Sequence, residues 1–149
     1  MGVVYLAERD DASFAQRAAL KLVRGGLFSR ALEERFVRER RILARLEHPG
    51  IARLLDGGLT AEGQPWFAME FVEGEPITEW AQRRDCDVPA RLRLFLDACD
   101  AVQYAHRQLV VHRDLKPANI IMEGAGRVRL VDFGVVRLLR DPAEGTGMN

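Results

Sequence analysis

The chain has 149 residues, the size of one ordinary domain, with 48% apolar and 30% charged residues, which describes a globular chain able to bury a core and excludes disorder. Lys plus Arg and Asp plus Glu both number 22, so no basic excess points to nucleic acid and no acidic tail to a basic partner. No apolar run approaches the roughly 18 residues of a membrane span, the N-terminus has no basic and apolar leader, and Leu6 stands where a myristoylation start wants Ser or Thr.

In chain order, residues 3–8 and 18–24 read as strands, and the polar stretch 9–13 suits a hairpin between them. After Gly25-Gly26, residues 29–47 carry Leu32, Phe36, Leu43 and Leu46 at helical spacing, and His48-Pro49-Gly50 stops that helix. Residues 51–55 and 66–72 read as further strands, with Asp56-Gly57-Gly58 and Glu62-Gly63-Gln64-Pro65 as turns between them. Glu73-Gly74-Glu75-Pro76 is expected to be a linker between two lobes.

A short helix over 77–84 and a longer one over 89–108 follow, the latter with Leu92, Phe95, Leu96, Cys99 and Val102 on one face and Pro89 in its first turn. Cys99 on that stripe is expected to be a buried thiol; with Cys86 it makes no disulfide or zinc spacing. Residues 120–122 and 127–131 are short strands about Glu123-Gly124-Ala125-Gly126, and periodicity is lost after Leu139. Strands first and helices later predict an α+β arrangement in two parts.

Two charges sit where a core is expected. Lys21 shares a strand face with Ala19 and Val23, and Glu39 lies near the centre of the Leu32, Phe36, Leu43, Leu46 stripe. Either alone reads as an edge or snorkelling residue. Together they predict a Lys21–Glu39 ion pair, because an unpaired buried charge is costly.

The chemistry is concentrated further on. His112-Arg113-Asp114-Leu115-Lys116-Pro117-Ala118-Asn119 is followed by Asp132-Phe133-Gly134. The two runs supply a carboxylate base for a hydroxyl group and two hard oxygen ligands for Mg²⁺, which is what phosphoryl transfer from ATP requires. These motifs, with Ala19-Leu20-Lys21 and Glu39 upstream, resemble the eukaryotic-type serine/threonine protein kinases in the style found in bacteria, from Gly2 to about Leu139.

The resemblance implies a two-lobed kinase-like fold: residues 1–72 a small lobe lacking its first strand and the start of its Gly-rich loop, 73–76 the hinge linker, and 77–149 the first part of a truncated large lobe. Of the loop motif only Gly2-Val3-Val4 is matched, and no Ala-Pro-Glu follows Gly134. The long helix is therefore expected to leave its apolar face uncovered. The resemblance implies Lys21 on the α- and β-phosphates, positioned by Glu39; Asp114 on the substrate hydroxyl; Lys116 on the γ-phosphoryl group; and Asn119 with Asp132 on Mg²⁺. For adenine it implies a hinge at Met69-Glu70-Phe71-Val72, with apolar contacts from Val4, Ala19 and Ile121. His112 is expected to be structural, Arg113 to pair with a phosphorylated residue, and Thr146 to be a candidate phosphosite. The implied activity is transfer of the ATP γ-phosphoryl group to a protein Ser or Thr hydroxyl, in the cytoplasm or in the cytosolic part of a longer membrane-anchored protein. The alternative is a non-catalytic kinase remnant that at most binds nucleotide or a protein partner. A small-molecule phosphotransferase is disfavoured by the spelling Leu115-Lys116-Pro117.

Overall fold

The structure, a computed structural model, describes residues 3–9, 16–23, 30–124 and 126–133. Its first sheet contains β1 (Val3–Arg9), β2 (Gln16–Leu22), β3 (Leu54–Leu59) and β4 (Pro65–Glu70) in the order β1-β2-β4-β3, with every neighbour antiparallel. Residues directly opposed across such a ladder point to the same face. The register Val4↔Lys21, Lys21↔Phe67 and Ala19↔Met69 therefore puts these five on one face. Val23, also on it, packs with Phe67 and with Phe36 of helix α1 (Arg30–Leu43) into a small buried core, the two rings 4.9 Å apart.

The strand expected over 51–55 begins later. Ile51 is drawn into the main core and bridges Leu130 in parallel, so pairing with β4 starts only at Leu54. Asp56-Gly57-Gly58, read as a turn, lies inside β3. The glycine pattern reflects close approach here, since a Cβ on Gly57 would stand 3.1 Å from the Trp66 carbonyl oxygen and from Arg40 Cδ.

The second sheet joins β5 (Gly74–Pro76), β6 (Ile120–Glu123) and β7 (Val128–Leu130), in that order and antiparallel. The expected linker thus contributes a strand of its own. Gly74 permits it, because a Cβ there would fall 2.1 Å from the Met122 carbonyl oxygen. Helices α2 (Ile77–Arg83) and α3 (Val88–Arg107) follow β5, and a 3-10 turn (Pro117–Asn119) leads into β6. Asp87 caps α3 by accepting a hydrogen bond from the Ala90 amide at 2.8 Å, with Pro89 in the first turn where its missing N–H costs nothing.

The main core corrects one expectation. Alanines carry the buried side of α3: Ala98, Ala101 and Ala105 pack with Leu43, Leu46, Ile51, Val110, Met122, Val128, Leu130 and Phe133. Small side chains let the helix lie close against β7. The larger stripe turns outward, with Leu92 56% and Phe95 and Leu96 each 63% exposed. Cys99 goes with that stripe and is exposed, not buried. Of the face expected to be uncovered, Leu92, Phe95, Leu96 and Cys99 are exposed, while Val102 packs against the main core.

Candidate active site

The site is built on the loop after α3 and the end of β7. His112 is the anchor, only 2% exposed. The Asp114 amide donates to its Nδ1 at 3.3 Å, so the ring proton sits on Nε2 and is donated to the Val131 carbonyl at 2.8 Å. Burial pushes its pKa below the ordinary 6.5, against the raising effect of the Val131 hydrogen bond and the nearby carboxylates. The ring also meets Phe133 edge-on at 4.5 Å. As expected, it holds the loop together and does not face outward as a base.

Two residues flanking this anchor are strained. Arg113 and Asp132 have φ of 66° and 62°, the left-handed region that costs a non-glycine residue of order 1–3 kcal/mol unless the surroundings fix it. The fixing contacts for Asp132 come from β7. The Val131 amide donates to the Asn119 carbonyl at 3.0 Å, and Leu130 exchanges hydrogen bonds with Gly50 and Ala52.

Asp114, Lys116 and Asn119 form one cluster. Lys116 Nζ donates to Asp114 Oδ2 at 2.9 Å. Asn119, 6% exposed, donates through Nδ2 to the Asp114 carbonyl at 2.8 Å and more weakly to Oδ2 at 3.4 Å. The Lys116 ammonium is the main reason the Asp114 carboxyl lies below the usual carboxylate range, with the Asn119 amide adding to it. Fixing Nδ2 in this way orients the Asn119 amide oxygen as its acceptor.

Lys21 Nζ reaches across to Asp132 Oδ2 at 2.7 Å, both side chains largely buried (12% and 20% exposed). This pair joins β2 of the first sheet to the chain just past β7 of the second. The expected Lys21–Glu39 pair cannot be placed beside it, because the Glu39 side chain lies outside the described residues, as do Gly2 and Thr146. Among the described residues no group of three His, Cys, Asp or Glu side chains could hold a metal. Asn119 and Asp132 offer one amide and one carboxylate oxygen donor, a set that suits Mg²⁺ taking its remaining ligands from phosphate and water.

The residues expected around adenine divide by element. Val4 lies opposite Lys21, and Ala19 lies opposite the buried Met69. Ile121 is half-buried on β6. Glu70 ends β4, its amide donating to the Arg53 carbonyl at 2.8 Å, and Val72 follows at the start of the connection to β5. One buried charge was missed. Arg129 on β7 is 7% exposed and pairs with Glu70 at 2.5 Å and Glu123 at 3.2 Å. Its sequence signal was a charge between two apolar strand residues.

An antiparallel sheet carrying Lys21, a smaller antiparallel sheet followed by Asp132, and a loop that holds Asp114, Lys116 and Asn119 together make the arrangement of the protein-kinase fold. Residues 1–148 match the family described as Protein kinase domain, and the chain belongs to that family. It is 38% identical over 147 residues to the serine/threonine-protein kinase PknJ of Mycobacterium tuberculosis, covering 95% of this chain and 24% of that protein. It is 39% identical over 140 residues to the DNA damage-responsive serine/threonine-protein kinase RqkA of Deinococcus radiodurans, covering 91% of this chain and 20% of that protein. Among solved structures, the PknI kinase domain of Mycobacterium tuberculosis superposes with a TM-score of 0.70 at 33% identity, over 91% of this chain and 55% of that one. The chain thus spans about a quarter of the curated relatives it matches and little more than half of the solved domain. No helix among the described residues is long and apolar enough to cross a membrane.

Proposed function

We propose that this chain carries the catalytic centre of an ATP- and Mg²⁺-dependent serine/threonine protein kinase, which transfers the γ-phosphoryl group to a Ser or Thr hydroxyl of a protein substrate. The observation that carries the reading is the Lys21–Asp132 ion pair, 2.7 Å long between residues 111 apart in sequence, beside the Asp114–Lys116–Asn119 cluster. Residues 1–72 form the lobe that supplies Lys21, 73–76 the hinge linker, and 77–149 the part of the larger lobe that supplies the loop. The compartment in this reading is the cytosol.

In this reading Asp114 accepts or orients the substrate hydroxyl proton. Its depressed pKa keeps it ionised. Lys116, already on Asp114, neutralises charge on the transferring group. An ammonium has three donors, so Lys21 can hold Asp132 and still meet the α- and β-phosphate oxygens, with Glu39 as its second carboxylate. Asn119 and Asp132 would hold Mg²⁺, which supplies charge neutralisation on the phosphates. The Glu70 and Val72 backbone would meet the purine edge, with Met69 behind it, Gly2 and Val4 over the nucleotide, and Ala19 and Ile121 against the ring.

A second reading is a non-catalytic remnant that at most binds nucleotide or a protein partner. Transfer of radiolabelled phosphate from ATP·Mg²⁺ to a generic protein substrate distinguishes them. The kinase reading expects transfer that Asp114→Ala reduces by roughly 10²–10⁴-fold, the range of a general base, while nucleotide binding survives. Binding without transfer in the unaltered chain leaves the remnant; neither binding nor transfer sinks the kinase reading.

A further inference from the structure

Arg129 is the most deeply buried guanidinium among the described residues, and the active-site reading makes no use of it. Its strand neighbours Val128 and Leu130 are buried in the main core. Alternation sends Arg129 to the opposite face, directly across from Ile121. There Nη2 donates to Glu70 Oε2 at 2.5 Å and to the Ile51 carbonyl at 3.4 Å, and Nη1 donates to Glu123 Oε1 at 3.2 Å. Nε is buried without a hydrogen-bond partner. A buried charge with an unsatisfied donor is a poor way to gain stability, since apolar side chains of similar volume often do as well. What the arrangement does provide is position.

Glu70 is held from three directions: its carboxylate by Arg129, the same carboxylate by the Arg53 amide at 3.3 Å, and its own amide by the Arg53 carbonyl. It is the last residue of β4. Arg129, for its part, stands three residues before Asp132 on a strand pinned at Leu130 and Val131. A single side chain therefore connects the backbone that leaves the first sheet to the strand that presents the carboxylate paired with Lys21.

We propose that Arg129 is a positioning residue for nucleotide binding: through Glu70 it fixes the hinge backbone at a set distance from Asp132, so that purine edge and phosphates are met together. This deepens, and rests on, the nucleotide-binding reading above. Its planar fork is what spans Glu70 and Glu123 at once, which a lysine cannot reproduce.

The test measures affinity for a fluorescent N-methylanthraniloyl ATP analogue with Mg²⁺, alongside the unfolding midpoint, for the unaltered chain and for Lys21→Met, Arg129→Lys, Arg129→Met, Glu70→Gln and the Arg129→Met/Glu70→Gln pair. Binding by the unaltered chain that Lys21→Met weakens supports the underlying reading; absence of binding there overturns both. Given binding, Arg129→Met and Glu70→Gln are each expected to weaken it by roughly tenfold, the scale of indirect coupling between linked sites. The double variant is expected to be no weaker than the worse single one, and Arg129→Lys intermediate. Lowered unfolding midpoints with unchanged affinity, or effects that simply add in the double variant, overturn the proposal. If Arg129→Met does not fold, Arg129→Lys and Glu70→Gln carry the same comparison.

Discussion

Asp114 and His112 are two residues apart, yet their environments move them in ways that pH separates. The Asp114 carboxyl is held below the usual range chiefly by Lys116. A depressed carboxyl stays ionised as pH falls until its own folded pKa is crossed. The acid limb of phosphoryl transfer is therefore expected at low pH in the unaltered chain, and Lys116→Met should move it upward toward an ordinary carboxylate, along with a loss of rate. A pH–rate profile of kcat/KM checks this; an unmoved limb means that Lys116 does not set it. His112 is pushed down by burial, so the unfolded chain takes up a proton near its ordinary 6.5 while the folded one resists. Stability is then whole above about 6.5 and erodes as pH falls below it toward the folded value. Thermal unfolding from pH 8 to 5 should show that decline, and His112→Ala, although less stable throughout, should show a shallower one. An identical slope in the variant would assign the decline to other groups.

At the scale of elements, the most legible parts of the sequence were those set by local rules. The α3 start was readable because Pro89 marks a first turn, and the structure adds Asp87 as its cap. Asp87→Ala is expected to lower stability by about 1 kcal/mol, the worth of an N-cap, measurable as a shift in the urea midpoint at unchanged slope. The face of β2 that carries Lys21 was equally readable, whereas helix α1 ends at Leu43, before the stop expected at His48-Pro49-Gly50. What could not be read depends on contacts across the chain. Strand β3 slips toward the glycines because Ile51 is claimed by Leu130, 79 positions along the chain. The side of α3 that carries the core was misjudged for Cys99, because three alanines, weak in any hydropathy pattern, sit against β7 while larger residues face out. The catalytic loop was legible as chemistry, since residue types and spacing carry it. Asp132 as the carboxylate meeting Lys21, and Arg129 behind Glu70, were not, because no periodicity links positions 111 and 59 residues apart.

For the molecule as a whole, the exposed stripe on α3 is expected to drive association of this chain in solution. Leu92, Phe95 and Leu96 are each more than half exposed, and Phe95 and Leu96 line a groove that continues to Leu115 and Ile120, with a volume of about 640 Å³. Isolated exposed leucines are ordinary, but a contiguous apolar patch of this kind drives association. The buried face of the same helix is made by Ala98, Ala101 and Ala105, so the stripe can be made polar without touching the core. Leu92→Gln with Phe95→Gln is therefore expected to change the unfolding free energy by no more than about 0.5 kcal/mol per site, as surface substitutions do. The same pair should convert a self-associating chain into a monomer at tens of micromolar, an order-of-magnitude figure for weak apolar contacts. Sedimentation velocity of the two proteins over a dilution series checks both halves of the argument. A monodisperse, monomeric unaltered chain at high concentration would mean that the stripe is too small to drive contact. A large loss of stability in the variant would mean that these side chains support the fold in spite of their exposure.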